Sequence, residues 1–207
     1  MSNPPPLEQQ IEHALDILGE SGIIAYPTDT VYGLGSDPYD ERAVMRVFQA
    51  KRRPHHLPLP LLIADISQFY DVALHVPEPA LRLARAFLPE GLTLVLKKSA
   101  RVPDIVTAGG DTVAIRIPDH PVPLALVRGL GKPIIGTSAN ISGKPSPLTA
   151  GEVSEQLGSE VDFIIDGGRA PGGVESTVID LTTPSPTLVR RGAIPVEDIR
   201  KVCRTIL

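Results

Sequence analysis

Five polar features of the chain combine residue types suited to anion chemistry. Lys51-Arg52-Arg53 is a run of three cations beside His55-His56. Lysine offers a compact point charge and arginine a two-pronged fork, a pairing that suits a polyphosphate. On an extended segment Lys51 and Arg53, two apart, would point the same way. The same run at a helix end would be favoured by the helix dipole and need no ligand, so both explanations stay open. Gly136-Thr137-Ser138-Ala139-Asn140-Ile141-Ser142-Gly143 leaves an apolar strand with three hydroxyls and an amide between glycines. Such a loop can wrap phosphate oxygens with side-chain and backbone donors, or be an ordinary turn. Asp166-Gly167-Gly168 and Pro171-Gly172-Gly173-Val174-Glu175-Ser176-Thr177 place pliable backbone and hydroxyls before a strand. They read as a ligand loop or a surface loop. Arg190-Arg191-Gly192 is a basic strand end, and Arg116 interrupts the apolar run Val113–Ile117. Alternation puts Arg116 opposite Val113, Ile115 and Ile117, on the face of Ala114. That face meets solvent or a cavity, and a buried arginine there needs an anion.

Several chemistries are missing. There is no phosphate-binding Gly-x-x-x-x-Gly-Lys-Ser/Thr run, and Gly33-Leu34-Gly35 lacks the third glycine of a dinucleotide fingerprint. No Gly-x-Ser-x-Gly elbow occurs. The histidines His13, His55, His56, His75 and His120 are not spaced as metal ligands, so no protein-built metal site is expected. The single cysteine, Cys203, excludes a disulfide framework or Cys-rich zinc site within the chain and fits a reducing cytoplasm. A net charge of −4 with 4% aromatics and no Trp argues against a broad, tight nucleic-acid surface, so any phosphate binding must come from local clusters. The start Met1-Ser2-Asn3-Pro4-Pro5-Pro6 does not read as a signal peptide, and no run approaches a membrane span.

The elements that must position these residues alternate along the chain. With 42% hydrophobic residues, 207 residues suit one large core and a single domain, with residues 1–6 as a loose start. Helical periodicity covers Leu7–Glu20, with Leu7, Ile11, Ala14, Leu15 and Leu18 on one face. Asp40 is placed to cap a helix through Ala50, and Lys51–Pro60 reads as a basic, proline-broken loop. Further helices are expected over Glu78–Leu88, Pro121–Arg128, from the capping box Thr149–Glu152, and from Pro195 to about Thr205. Strands are expected at Ile23–Tyr26, Leu61–Ile63, Leu92–Leu96, Val113–Ile117, Pro133–Gly136, Phe163–Ile165, Thr177–Leu181 and Thr187–Val189. Mixed strands and helices without repeats imply an α/β or α+β sheet domain.

The order of these segments is more specific than any one of them. Tyr26-Pro27-Thr28-Asp29-Thr30-Val31-Tyr32-Gly33-Leu34-Gly35 precedes Lys51-x-Arg53, then Ser138-x-Asn140, Glu175-Ser176-Thr177 and Arg190-x-Gly192-Ala193-Ile194. From about Glu8 to the last helix this order resembles the YrdC/TsaC family, whose signature is the Lys-x-Arg and Ser-x-Asn pair. The resemblance implies a twisted mixed parallel and antiparallel sheet with flanking helices around a deep, positively lined cavity. It implies a threonylcarbamoyl-AMP synthase, which joins L-threonine, bicarbonate and ATP and feeds a tRNA modification. Lys51, Arg53, Ser138, Asn140 and Arg190 would hold the ATP phosphates, Lys51 and Arg53 being the catalytic cations. Thr30, Arg116 and Ser176 would hold threonine, with Thr28 as a neighbour. Mg²⁺ would arrive with ATP, bound mainly by phosphate oxygens, with no protein ligand assigned to it. The implied setting is cytoplasmic, with small-molecule substrates, hand-over of the product to a tRNA threonylcarbamoyl transferase complex, weak RNA binding at most, and no membrane. Two positions depart from the family pattern: Leu57-Pro58-Leu59 stands for the usual Lys-Pro-Leu, and Arg190-Arg191-Gly192 for Arg-Pro-Gly.

Three other readings compete. An RNA-binding module of the same fold without synthase activity is opposed by the charge. A carbamoyl-transfer relative of the hydrogenase-maturation type would carry Cys-rich zinc modules. A relative that has lost synthesis would not be expected to retain Lys51, Arg53, Ser138 and Asn140. The larger two-domain relatives carry a C-terminal domain for which 207 residues leave no room.

Overall fold

The computed structural model describes residues 5–172, 174–204 and 206. The elements run α1 (Leu7–Gly19), β1 (Ile24–Tyr26), β2 (Gly33–Gly35), α2 (Glu41–Lys51), β3 (Leu61–Leu62), α3 (Phe69–Val72), α4 (Glu78–Phe87), β4 (Leu92–Lys97) and β5 (Thr112–Arg116). They continue with α5 (Pro121–Leu130), β6 (Ile134–Ile135), β7 (Thr137–Ser138), α6 (Ala150–Leu157), β8 (Phe163–Ile164), β9 (Thr177–Asp180), β10 (Thr187–Arg190) and α7 (Val196–Val202). The expected end of the last helix, Thr205, lies outside the described residues, as do residues 1–4 of the loose start and Gly173.

Where one mixed sheet was expected, the strands form two. The smaller has the order β7-β2-β1-β8 and the larger β10-β9-β4-β5-β3-β6. Both mix directions: β1 runs parallel to β8 and antiparallel to β2, and β4 runs parallel to β9 and antiparallel to β5. The second sheet escapes a sequence reading because β2 is Gly33-Leu34-Gly35, which has no strand-like composition. The glycines are there because the Tyr26 ring lies across them. A Cβ on Gly33 would come within 2.8 Å of that ring.

The main core, drawn from both sheets, gathers Tyr32, Val44, Val47, Phe48, Leu61, Leu94 and Ile115 with their neighbours. A second cluster lies where α1 packs against α5, around Ala14, Leu18, Ile24, Leu126 and Val127. Each large side chain so buried contributes roughly 1.5–3 kcal/mol.

Two helix starts follow the expected capping logic. Asp40 accepts from the Arg42 and Ala43 N–H groups. Thr149 Oγ1 accepts from the Glu152 N–H at 3.2 Å, while the Glu152 carboxylate reaches past it to the Leu148 N–H at 2.6 Å. One boundary corrects the expectation. Lys51 is the last residue of α2, not the first of a loop, and Arg52 follows as a left-handed cap at φ 48°. Lys51 and Arg53 thus reach the same place through a helix end and a reversal of the chain, not through an extended strand.

Candidate functional site

A cavity of about 510 Å³ lies between the two sheets. Its walls come from β1, β2 and β7 on one side and β3, β4, β5, β9 and β10 on the other. All eight residues singled out as candidates face it: Thr30, Lys51, Arg53, Arg116, Ser138, Asn140, Ser176 and Arg190. Thr28 faces it too. Among the described lining residues, five are basic (Lys51, Arg53, Arg116, Lys144 and Arg190) and one is a carboxylate, Glu175. The positive character is therefore local, within a chain of net charge −4.

At one end sits Arg116, 8% exposed at the close of β5. The face shared with Ala114 meets the cavity, not solvent. Its guanidinium donates to Asp29 Oδ2 at 2.6 Å, to Thr30 Oγ1 at 3.0 Å and to the Glu90 carbonyl at 3.3 Å. The Asp29 carboxylate is turned to Arg116, and its Oδ1 is buried without a hydrogen-bond partner among the described residues. Thr28 Oγ1 accepts from the Thr30 and Val31 N–H groups, which folds the Pro27–Val31 turn around Arg116.

At the other end Lys51, 1% exposed, reaches across to the loop after β7. Its Nζ donates to the Ser138 carbonyl, to the Asn140 carbonyl at 2.9 Å and to Asn140 Oδ1 at 3.2 Å. Burial, and next the Arg53 charge, push its ammonium down to about 7, while Glu175 pulls the other way. Arg53 folds back on the following loop, donating to the Leu57 and Pro58 carbonyls at 3.2 and 2.9 Å. Burial lowers its pKa from the ordinary value. Leu57, the departure from the family pattern, is 37% exposed and lines the cavity mouth.

Arg190 and Ser176, assigned to different substrates by resemblance, touch each other. Arg190 donates to the Ser176 carbonyl at 2.9 Å and to Ser176 Oγ at 3.1 Å, and pairs with Glu175. The two halves of the cavity share this wall. Gly192 makes it possible, because a Cβ there would run into the backbone of Glu175, Ser176 and Thr177.

Thr93 is a cavity residue that the sequence reading passed over. It is buried in β4, and its hydroxyl sits 2.7 Å from Ser176 Oγ. The signal was available, since Thr93 alternates with Leu92 and Leu94 and so points to the opposite face. Ser142 and Lys144 also line the cavity. Two of the histidines have other work: His55 stacks on Phe48 at 5.0 Å, and His120 caps α5 by accepting from the Val122 N–H.

A family model named Sua5_yciO_yrdC, described as "Telomere recombination", matches residues 16–192. The chain belongs to the Sua5/YciO/YrdC family. Within it, a Pyrococcus abyssi protein named threonylcarbamoyl-AMP synthase is 49% identical over 195 residues, covering 94% of this chain and 57% of its own length. The crystal structure of P. abyssi Sua5 complexed with L-threonine superposes with a TM-score of 0.93 at 48% identity, covering 97% of this chain and 59% of that one. Escherichia coli YciO superposes with a TM-score of 0.84 at 31% identity, covering 95% of both chains. The chain thus spans little more than half the length of the Pyrococcus relative and nearly all of the length of another family member.

Proposed function

We propose that the cavity joins L-threonine, bicarbonate and ATP into threonylcarbamoyl-AMP, with release of pyrophosphate and water. The observation that carries this is the convergence of all eight candidate residues, from distant parts of the chain, on one basic cavity. The Pyrococcus relative's name and the threonine held by its solved counterpart support the choice of substrates.

In this proposal the two ends of the cavity divide the work. Lys51, Arg53, Ser138, Asn140 and Arg190 form the phosphate wall, with Lys51 and Arg53 supplying its fixed positive charge. Thr30, Arg116 and Ser176 form the threonine end. The threonine amine adds to CO2 from bicarbonate and loses a proton, giving a carbamate. A carbamate oxygen attacks the α-phosphorus of ATP, and the bond to the β-phosphate oxygen breaks as pyrophosphate departs. No covalent enzyme intermediate is required. The protein's task is to hold several anions together against their repulsion, by positioning and by fixed positive charge away from bulk water. Mg²⁺ belongs to the substrate in this scheme. Among the described residues no group of three or more His, Cys, Asp or Glu is gathered to hold a metal, and phosphate oxygens are its natural ligands.

The remaining proposals follow from the chemistry. The chain acts as one folded unit around this cavity, in the cytoplasm, and passes its product to a tRNA threonylcarbamoyl transferase complex. Among the described residues no helix is long and apolar enough to cross a membrane. The test is the Lys51→Ala, Arg53→Ala double variant. Loss of groups aimed at developing phosphate charge should lower pyrophosphate release by roughly 10²–10³, with the fold retained by circular dichroism. Activity within twofold of wild type would refute the assignment.

A further inference from the structure

The phosphate wall contains polar atoms that are already fully engaged with one another. An ammonium has three N–H donors, and Lys51 Nζ has three oxygen partners: the Ser138 carbonyl, the Asn140 carbonyl and Asn140 Oδ1. A side-chain amide has two N–H donors, and Asn140 Nδ2 gives them to the Ile141 carbonyl at 3.1 Å and the Lys144 carbonyl at 2.6 Å. Asn140 Oδ1 accepts from Lys51 and also from Ser138 Oγ at 2.6 Å, which commits the one hydroxyl proton of Ser138. The Lys51 carbonyl then accepts from the Ser142 N–H at 2.8 Å. Lys51 is 1% exposed and Asn140 6% exposed, so these exchanges take place out of water.

An incoming phosphate could use Lys51 or Asn140 only by stripping donors from the carbonyls of Ser138, Asn140, Ile141 or Lys144. Leaving a buried acceptor unsatisfied carries the full desolvation penalty of that group. The same loop carries two groups with no such commitment. Ser142 lines the cavity, and its Oγ is buried with no hydrogen-bond partner among the described residues. Lys144 is exposed, lines the cavity and makes no ion pair among the described residues. Gly143, between them, takes φ +85°, and the Lys144 N–H closes a turn on the Ile141 carbonyl at 2.9 Å. The network therefore ends at a tight turn on the cavity wall, with the buried Ser142 hydroxyl inside it and the exposed Lys144 side chain beside it.

We propose that Lys51 and Asn140 are positioning residues that lock the Ser138–Lys144 loop, and that Ser142 and Lys144, presented by this lock, grip the polyphosphate directly. The inference rests on reading the cavity as a nucleotide site and changes which side chains touch the ligand there.

The test uses the full chain, with MgATP and L-threonine as separate binding probes. Lys51→Met and Asn140→Leu remove the donors while keeping apolar bulk. Each should speed amide hydrogen exchange across 138–144 in the ligand-free protein and weaken ATP binding roughly tenfold or more. Because both variants break one network, the double variant should bind ATP within about threefold of the weaker single one. Threonine binding should stay within about twofold of wild type, which a general loss of structure would not allow. Ser142→Ala with Lys144→Met should weaken ATP binding at least roughly fivefold and leave the exchange of 138–140 unchanged. The proposal is overturned by unchanged exchange in Lys51→Met alongside lost ATP binding, or by losses that multiply in the Lys51/Asn140 double variant. It is equally overturned by ATP binding within twofold of wild type in the Ser142/Lys144 variant. If the wild-type protein fails to bind ATP, the nucleotide reading and the phosphate grip fall together, while the exchange measurement still decides the lock.

Discussion

Arg116 shows how much a single residue is asked to do. Its guanidinium already serves Asp29, Thr30 and the Glu90 carbonyl. Three of its five N–H groups are used, so two remain for an incoming carboxylate. Asp29 keeps the buried cation neutralised in the absence of ligand, at the cost of a second anion near any bound amino acid. A lysine can supply the charge but not the planar fork. Arg116→Lys should therefore raise the threonine concentration needed for half-maximal rate far more than the ATP concentration. Steady-state kinetics with each substrate varied in turn checks this, and a defect confined to ATP would misplace the amino-acid end. Lys51 makes a prediction about pH. Its pKa is lowered in the folded protein from 10.5 to about 7. The cost of burying its charge is thus fully present below about pH 7 and is relieved as pH rises from there towards 10.5. A polyphosphate favours the ammonium, as does Glu175, while Arg53 opposes it. ATP affinity should then fall as pH rises from about 7 to 9, with proton uptake on binding, and Lys51→Met should lose that slope. Calorimetry in two buffers of different ionisation enthalpy measures both.

At the level of elements, α2 is the lever of the phosphate wall, since it starts at the Asp40 cap and ends at Lys51. Asp40→Ala removes an N-cap worth about 0.5–2 kcal/mol. The melting temperature should fall by roughly 2–4 °C per kcal/mol for a chain of this size. A melting temperature unchanged within error would mean that the cap contributes nothing. This helix was legible from the sequence because Asp40 and the spacing of Ala43, Val44, Val47 and Phe48 agree. The capping at Thr149 and the strands β4, β5, β9 and β10 were legible for similar reasons of local chemistry and alternation. The small sheet was not. β2 is two-thirds glycine, β7 is two polar residues, and both are strands only because Tyr26 and their neighbours place them there. The site divided in the same way. That the eight candidate residues lie together was legible through the order of motifs, since all eight line one cavity. Its internal wiring was not, because the Arg116–Asp29 pair, the Arg190–Ser176 contact and the Lys51–Asn140 lock join residues far apart in the chain.

At the scale of the molecule, charge is distributed against the average. A chain of net −4 concentrates five basic side chains on one cavity. That arrangement suits small polyanionic substrates and offers little to a long nucleic-acid backbone, which needs an extended basic surface. In the proposed reaction the nucleophile does not exist in any one substrate and forms only when threonine and dissolved carbonate meet in this cavity. The most direct measurement is pyrophosphate release from ATP by the wild-type chain, with threonine and bicarbonate supplied together, singly, or not at all. Release should require both, with omission of either leaving only background cleavage, and valine should substitute poorly because it leaves the hydroxyl partners at the threonine end unpaired. Release that proceeds at the same rate without threonine and without bicarbonate would contradict the account.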